Sequence, residues 1–148
     1  MKTDYFTSVE GLEKLLTDYK ETFEMIDDYG QQLMQGILTT PDDYKICLDK
    51  MTGAYVSLEP LYTMAVAYKE NEETREWVSL KRELESKAEK VVAASLDREA
   101  SALVAMPRRI RGVLEGYVES CAKAIGTCQT QLKRIEFEIK SRNDKTNN

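Results

Sequence analysis

A chain of 148 residues with no histidine, three cysteines outside any CxxC spacing, seven glycines, three prolines and 32% charged residues lacks the commonest general base and zinc ligand, and its composition favours helix throughout. Its net charge of −5 excludes a uniformly basic polyanion binder but conceals a division: residues 101–148 hold nine Lys/Arg against five Asp/Glu, and the first hundred hold 12 against 21. An acidic front with a basic rear can turn one face to a polyanion while the other meets solvent or a basic partner, and plain solvation of both faces is the alternative.

The N-terminal run MKTDYFTSVEGLEKLL holds no apolar stretch of signal-peptide length, and nowhere does the chain approach the roughly twenty apolar residues of a bilayer span. With cysteines of this usage, a soluble protein without a membrane partner is expected in a reducing cytoplasm, the host's if the chain is phage-encoded. A first helix is expected over 8–38, opened by a capping box of Thr7 and Glu10. Leu12, Leu16, Tyr19, Phe23, Ile26, Leu33 and Ile37 keep heptad register with Gly30 in the one seam position without a side chain. Such a seam wants a partner helix, from its own chain or from another copy.

LTTPDD closes this helix and opens a second over 41–59, with Thr40 as N-cap, Pro41 at the first helical position and Asp42 and Asp43 in the first turn. Pro60 removes a backbone donor and predicts a kink or break, followed by a third helix over 60–92 whose buried side is marked by Trp77, Leu80, Leu84, Ala88 and Val91. The looser VAASLDREASALVAM reads as a turn and a short helix over 97–105. A long last helix then runs over 107–142, and the tail 143–148, without apolar residues, is expected to fray.

In the last helix Ile110, Leu114, Tyr117, Cys121, Ile125, Cys128, Leu132, Ile135 and Ile139 recur at steps of three and four, one stripe close to a coiled-coil seam. Cys121 and Cys128 lie about 10 Å apart along the axis, so they cannot bridge each other and read, with Cys47, as small buried hydrophobes. The fold expected is all-α, four to five helices in a single domain over 1–142, an elongated helical bundle with coiled-coil-like seams. It is expected to form a homo-oligomer through Ile110, Leu114, Tyr117, Cys121, Ile125, Cys128, Leu132 and Ile135.

Neither a GxxxxGK[ST] or GxGxxG phosphate loop nor a GxSxG elbow occurs, and no enzymatic activity, metal or cofactor is expected. The candidate chemistry lies in the cations. Lys81 and Arg82 sit in SLKRELESK; Arg108, Arg109 and Arg111 crowd the start of the last helix; Lys123, Lys133, Arg134 and Lys140 follow along it. Single-stranded nucleic acid is bound by cations that neutralise phosphates and aromatics on which bases stack. Phe137 lies off the apolar stripe and is the better stacking candidate; Tyr117 lies within the stripe and reads as core. Three arginines at the positive end of a helix dipole are relieved by an anion or by glutamates of the preceding helix, and the sequence leaves both open.

The order of parts resembles that of the UvsY family, recombination mediators of T4-type bacteriophages. SLKRELESK is similar to the family's short Leu-Lys-x-Arg-Leu-type basic motif, here with Lys81 and Arg82 adjacent. ASLDREA followed by LEGYVESCAKAIGTCQTQLKRI resembles the family's later helices, with a Cys inside an apolar helix and an Ala-Ile pair ahead of basic residues; the resemblance covers roughly residues 55–139. It implies a protein that binds single-stranded DNA, forms a ring-like homo-oligomer through its C-terminal helix and helps a RecA-like recombinase displace single-strand-binding protein, with Lys81 and Arg82 as DNA contacts. Charge on an acidic molecule then has to be gathered on one assembled face. A phage structural, assembly or inhibitor protein, using the same helices for protein contacts alone, is the alternative.

Overall fold

A computed structural model describes residues 3–147 of the chain. Met1, Lys2 and Asn148, the first two residues of the expected domain and the last of the expected tail, lie outside the described residues. Among those described the fold is all-α: a 3-10 turn over Thr3–Phe6 precedes α1 (Val9–Asp18), α2 (Lys20–Gln35), α3 (Pro41–Ser86), α4 (Ala93–Leu103) and α5 (Ala105–Thr146), with no strand. The chain divides into two compact units, the first of Met1–Asp18 and Pro60–Glu115, the second of Tyr19–Glu59 and Gly116–Asn148.

In the first unit the chain opens with Tyr5 and Phe6 fully buried. The Tyr5 hydroxyl donates to Asp18, and Phe6 packs 5.9 Å from the Tyr68 ring. Gly11 makes this possible, because a Cβ there would meet the Asp4 carbonyl oxygen at 2.3 Å and the Tyr5 carbonyl oxygen at 2.9 Å. The cap of α1 is Ser8, whose Oγ accepts the Gly11 N–H at 3.1 Å, one residue beyond the expected Thr7. Leu12, Leu15, Leu61, Ala65, Leu96, Ala100, Val104, Ile110 and Leu114 complete the core, and full burial of a side chain of leucine size stabilises by about 1.5–3 kcal/mol.

The second unit begins where the expected first helix breaks. Tyr19, at φ −108° and ψ 15°, separates α1 from α2, which shifts the apolar phase: Leu15 is buried where Leu16 was expected, and Leu16 and Ile37 are exposed. Gly36, at φ 67°, ends α2, donating to the Leu33 carbonyl while Ile37 donates to that of Gln32, a Schellman closure that favours glycine. The cap of α3 is as the sequence implies. Thr40 Oγ1 accepts the Asp43 N–H, and Asp43 Oδ2 accepts the N–H groups of Thr40 and Thr39, which holds the Asp43 carboxyl below its usual value.

Pro60 does not end the helix; α3 runs through it for 46 residues. Proline withholds one donor, and burial of Leu58 and Leu61 on either side offsets a cost of about 3 kcal/mol. The helix closes with Ala88 in the left-handed region at φ 54° and Glu89 donating to Leu84, short of the expected residue 92. On α5 the expected frayed tail is helical to Thr146, where the Thr146 hydroxyl donates to Asn143 and Lys145 favours the dipole's negative end.

Phe23, Ile26, Leu38, Cys47, Met51, Ala54, Leu58, Val118, Cys121, Ala124 and Cys128 form the core of this unit. Burial pushes the Cys47 thiol up to about 12, with Cys128 adding to it, and the Cys121 thiol up to about 11. Tyr117 stacks on Phe23 at 4.2 Å and donates to Asp27 Oδ2 at 3.2 Å. No helix of the described residues is long and apolar enough to cross a membrane.

Candidate nucleic-acid interface

The expected cations divide between the units: Lys81, Arg82, Arg108, Arg109 and Arg111 fall in the first, Lys123, Lys133, Arg134 and the aromatic Phe137 in the second. In the first unit the group is built on Trp77, the single tryptophan, which α3 holds half-buried. Its indole Nε1 donates to Asp97 Oδ1 at 3.0 Å, tying the ring to α4. One turn on, Lys81 Nζ lies 5.6 Å from the ring centroid, within cation–π range, and 3.9 Å from Glu85. Arg82 is exposed and makes no ion pair among the described residues. Beside the ring opens a groove of about 550 Å³ lined by Glu70, Glu73, Thr74, Trp77, Asp97 and Ala100.

Sequence reasoning assigned Trp77 to the buried side of its helix and so missed it. The available signal was its place four residues before Lys81, the spacing at which helix side chains meet.

The arginines at the start of α5 separate into different roles. Arg108 Nη2 donates to the Ser101 carbonyl at 2.7 Å and to the Ser101 hydroxyl, so it closes the last turn of α4. Arg111 Nη2 donates to Glu115 Oε2 at 3.1 Å, and Glu115 Oε1 accepts the Tyr62 hydroxyl at 3.1 Å. These bonds, the arginine's first, lower the Glu115 carboxyl below its usual value. Glu115 thus links α5 to α3 through Tyr62, and Arg111 holds that carboxylate from one turn before it. Among the described residues, only Arg109 of the three is exposed and unpaired.

Along α5 in the second unit, Lys123 pairs with Glu119 at 3.7 Å, Arg134 with Glu138 at 3.8 Å and Lys140 with Glu136 at 3.1 Å, each one turn away. Exposed pairs of this kind contribute about 0.3–0.5 kcal/mol and release their cation readily. Lys133 is exposed and unpaired among the described residues, and Phe137 is 72% exposed.

The residues expected at a self-association surface also divide. Ile110, Leu114, Cys121 and Cys128 are wholly buried by the chain's own helices, which corrects their reading as contacts between copies: they have no surface left for a partner. Tyr117 is engaged with Phe23. Ile125, Leu132 and Ile135 keep some exposure and Ile139 is 52% exposed; beyond Cys128 no described residue is buried. The end of α5 therefore carries an apolar stripe that its own chain leaves uncovered. Among the described residues no three His, Cys, Asp or Glu side chains converge into a metal-holding group. Compared with known proteins, the chain matches no family model, no curated protein and no solved structure.

Proposed function

We propose that this chain is a single-stranded DNA-binding accessory protein of the recombination-mediator type, a non-enzymatic homo-oligomer that helps load a RecA-like recombinase against single-strand-binding protein. The observation that supports it is the cluster on α3: an indole lining a groove, Lys81 over the ring and Arg82 at the next position, without an ion pair among the described residues. A π-surface with two cations within one and a half turns meets the needs of a strand whose bases stack and whose phosphates follow alongside. Recombinase, single-strand-binding protein and phage setting rest on the resemblance of SLKRELESK and the later helices to the UvsY family. The exposure of Leu132, Ile135 and Ile139, the stripe left open after Cys128, supports self-association there, and gathering copies multiplies the cations available on a molecule of net charge −5.

A second reading, an assembly or inhibitor protein acting through helix contacts alone, is favoured by the carboxylates beside Lys81, Arg111, Lys123, Arg134 and Lys140. Retention on a single-stranded oligonucleotide across a salt series separates the two. The mediator reading expects log K to fall with log salt by roughly 0.7 per phosphate contact, and to fall further in Arg82→Ala with Arg109→Ala. Absence of retention by the assembled protein at low salt favours the second reading.

A further inference from the structure

The groove beside Trp77 has a chemistry that phosphate binding does not use. Its lining is the Trp77 indole, the Thr74 hydroxyl, Ala100 and three carboxylates. Glu73 is occupied by Lys69, one turn before it on α3. Asp97 gives one oxygen to the indole and keeps Oδ2, and Glu70 is exposed and makes no ion pair among the described residues. The groove thus offers acceptors without donors of equal strength, since an ionised carboxylate can only accept. It also repels phosphate, so a strand held by Lys81 and Arg82 keeps its backbone outside and turns its bases inward.

We propose that this groove is a nucleobase subsite that selects bases bearing an exocyclic amino group, cytosine over thymine among the pyrimidines. The proposal rests on the single-strand reading above. A base stacked on the indole presents its edge to Glu70 and Asp97, the way extruded bases are read by stacking plus edge hydrogen bonds. Cytosine places its N4 amino donor where thymine places the O4 carbonyl, so one edge pairs with a carboxylate and the other faces it with a second acceptor. At about 550 Å³ the groove is of ordinary size for a small planar ligand.

The test is anisotropy of labelled oligo(dC) and oligo(dT) of equal length, at neutral pH and one salt concentration, against the full chain and against Glu70→Gln with Asp97→Asn. The amide at 97 retains an oxygen for the indole, and both substituted positions are exposed. Comparing the ratio of the two affinities removes the change in overall charge. The expected result is tighter binding of oligo(dC) by about tenfold and a ratio near unity in the double variant, whose amides can donate to thymine. Equal binding of both oligomers by the wild-type chain, or a preference that survives in the double variant, overturns the subsite and leaves single-strand binding standing. Binding of neither oligomer overturns the single-strand reading on which it rests.

Discussion

The cations of the first unit and those at the end of α5 have the same chemistry and different surroundings. Lys81 and Arg82 stand beside an anchored indole and a groove. Lys123, Arg134 and Lys140 stand on one helix, each with a carboxylate one turn away. Charge alone distinguishes neither group from a solvated helix face. What sets the first apart is an aromatic ring anchored by a hydrogen bond at the lip of a groove, and what sets the second apart is the uncovered stripe of Leu132, Ile135 and Ile139. The first has the makings of a ligand site and the second those of a contact between copies.

The largest effect should follow from breaking the second group. Leu132→Ser with Ile135→Ser and Ile139→Ser is expected to reduce the assembled species to monomer, read as mass in solution, while the thermal midpoint of the monomer stays in place because none of the three is buried. Next comes the first group: Trp77→Leu should weaken single-strand binding by about 1–3 kcal/mol, the contribution of one stacked base. Then the two groups can be compared directly. Arg82→Ala should lower the salt slope by about one phosphate contact, whereas Lys123→Ala should leave it nearly unchanged, because Lys123 is no part of the proposed site at Trp77.

High pH sharpens the contrast further, since all three buried thiols lie in the second unit. Thiols raised to about 12 and about 11 stay protonated in the fold after the unfolded chain has begun to release its protons. Their stability contribution is therefore complete below about pH 8.5 and is lost as pH rises through the folded values, at up to about 1.4 kcal/mol per unit for each thiol. Hydrogen exchange should show α2 and the 116–128 stretch of α5 loosening at alkaline pH ahead of α4. The smallest effect is Ala88→Gly, which relieves a left-handed alanine and should stabilise by about 0.5–1 kcal/mol in thermal unfolding.

Local chemistry was legible in the sequence and tertiary competition was not. Thr40, Pro41 and Asp43 announce the start of α3 because a capping box is closed by residues three apart. The all-α class follows from the three-and-four spacing of apolar residues. Pro60 misleads, since the local penalty is real but burial of Leu58 and Leu61 outweighs it. Tyr19 misleads in the other direction: a heptad through Leu16 reads well on paper, yet docking of the N-terminal turn through Gly11 leaves α1 ending at Asp18 and Leu15 inside. At the candidate site the motif holding Lys81 and Arg82 stood out, but periodicity assigns a residue to a side of the helix and not to a degree of burial, so half-exposed Trp77 was missed. Arg108 and Arg111 looked available because nothing in the sequence reveals that Ser101 and Glu115 engage them.

The most direct test uses the fact that the chain has one tryptophan. Indole emission of the intact protein is recorded while a single-stranded oligonucleotide is added at low salt, then while salt is raised. A strand stacking at Trp77 beside Lys81 and Arg82 should quench the emission, and salt should restore it with a slope that Arg82→Ala reduces. An emission unchanged by oligonucleotide at low salt, with the protein in its assembled state, would contradict the proposal that this tryptophan and its neighbouring cations form the binding surface.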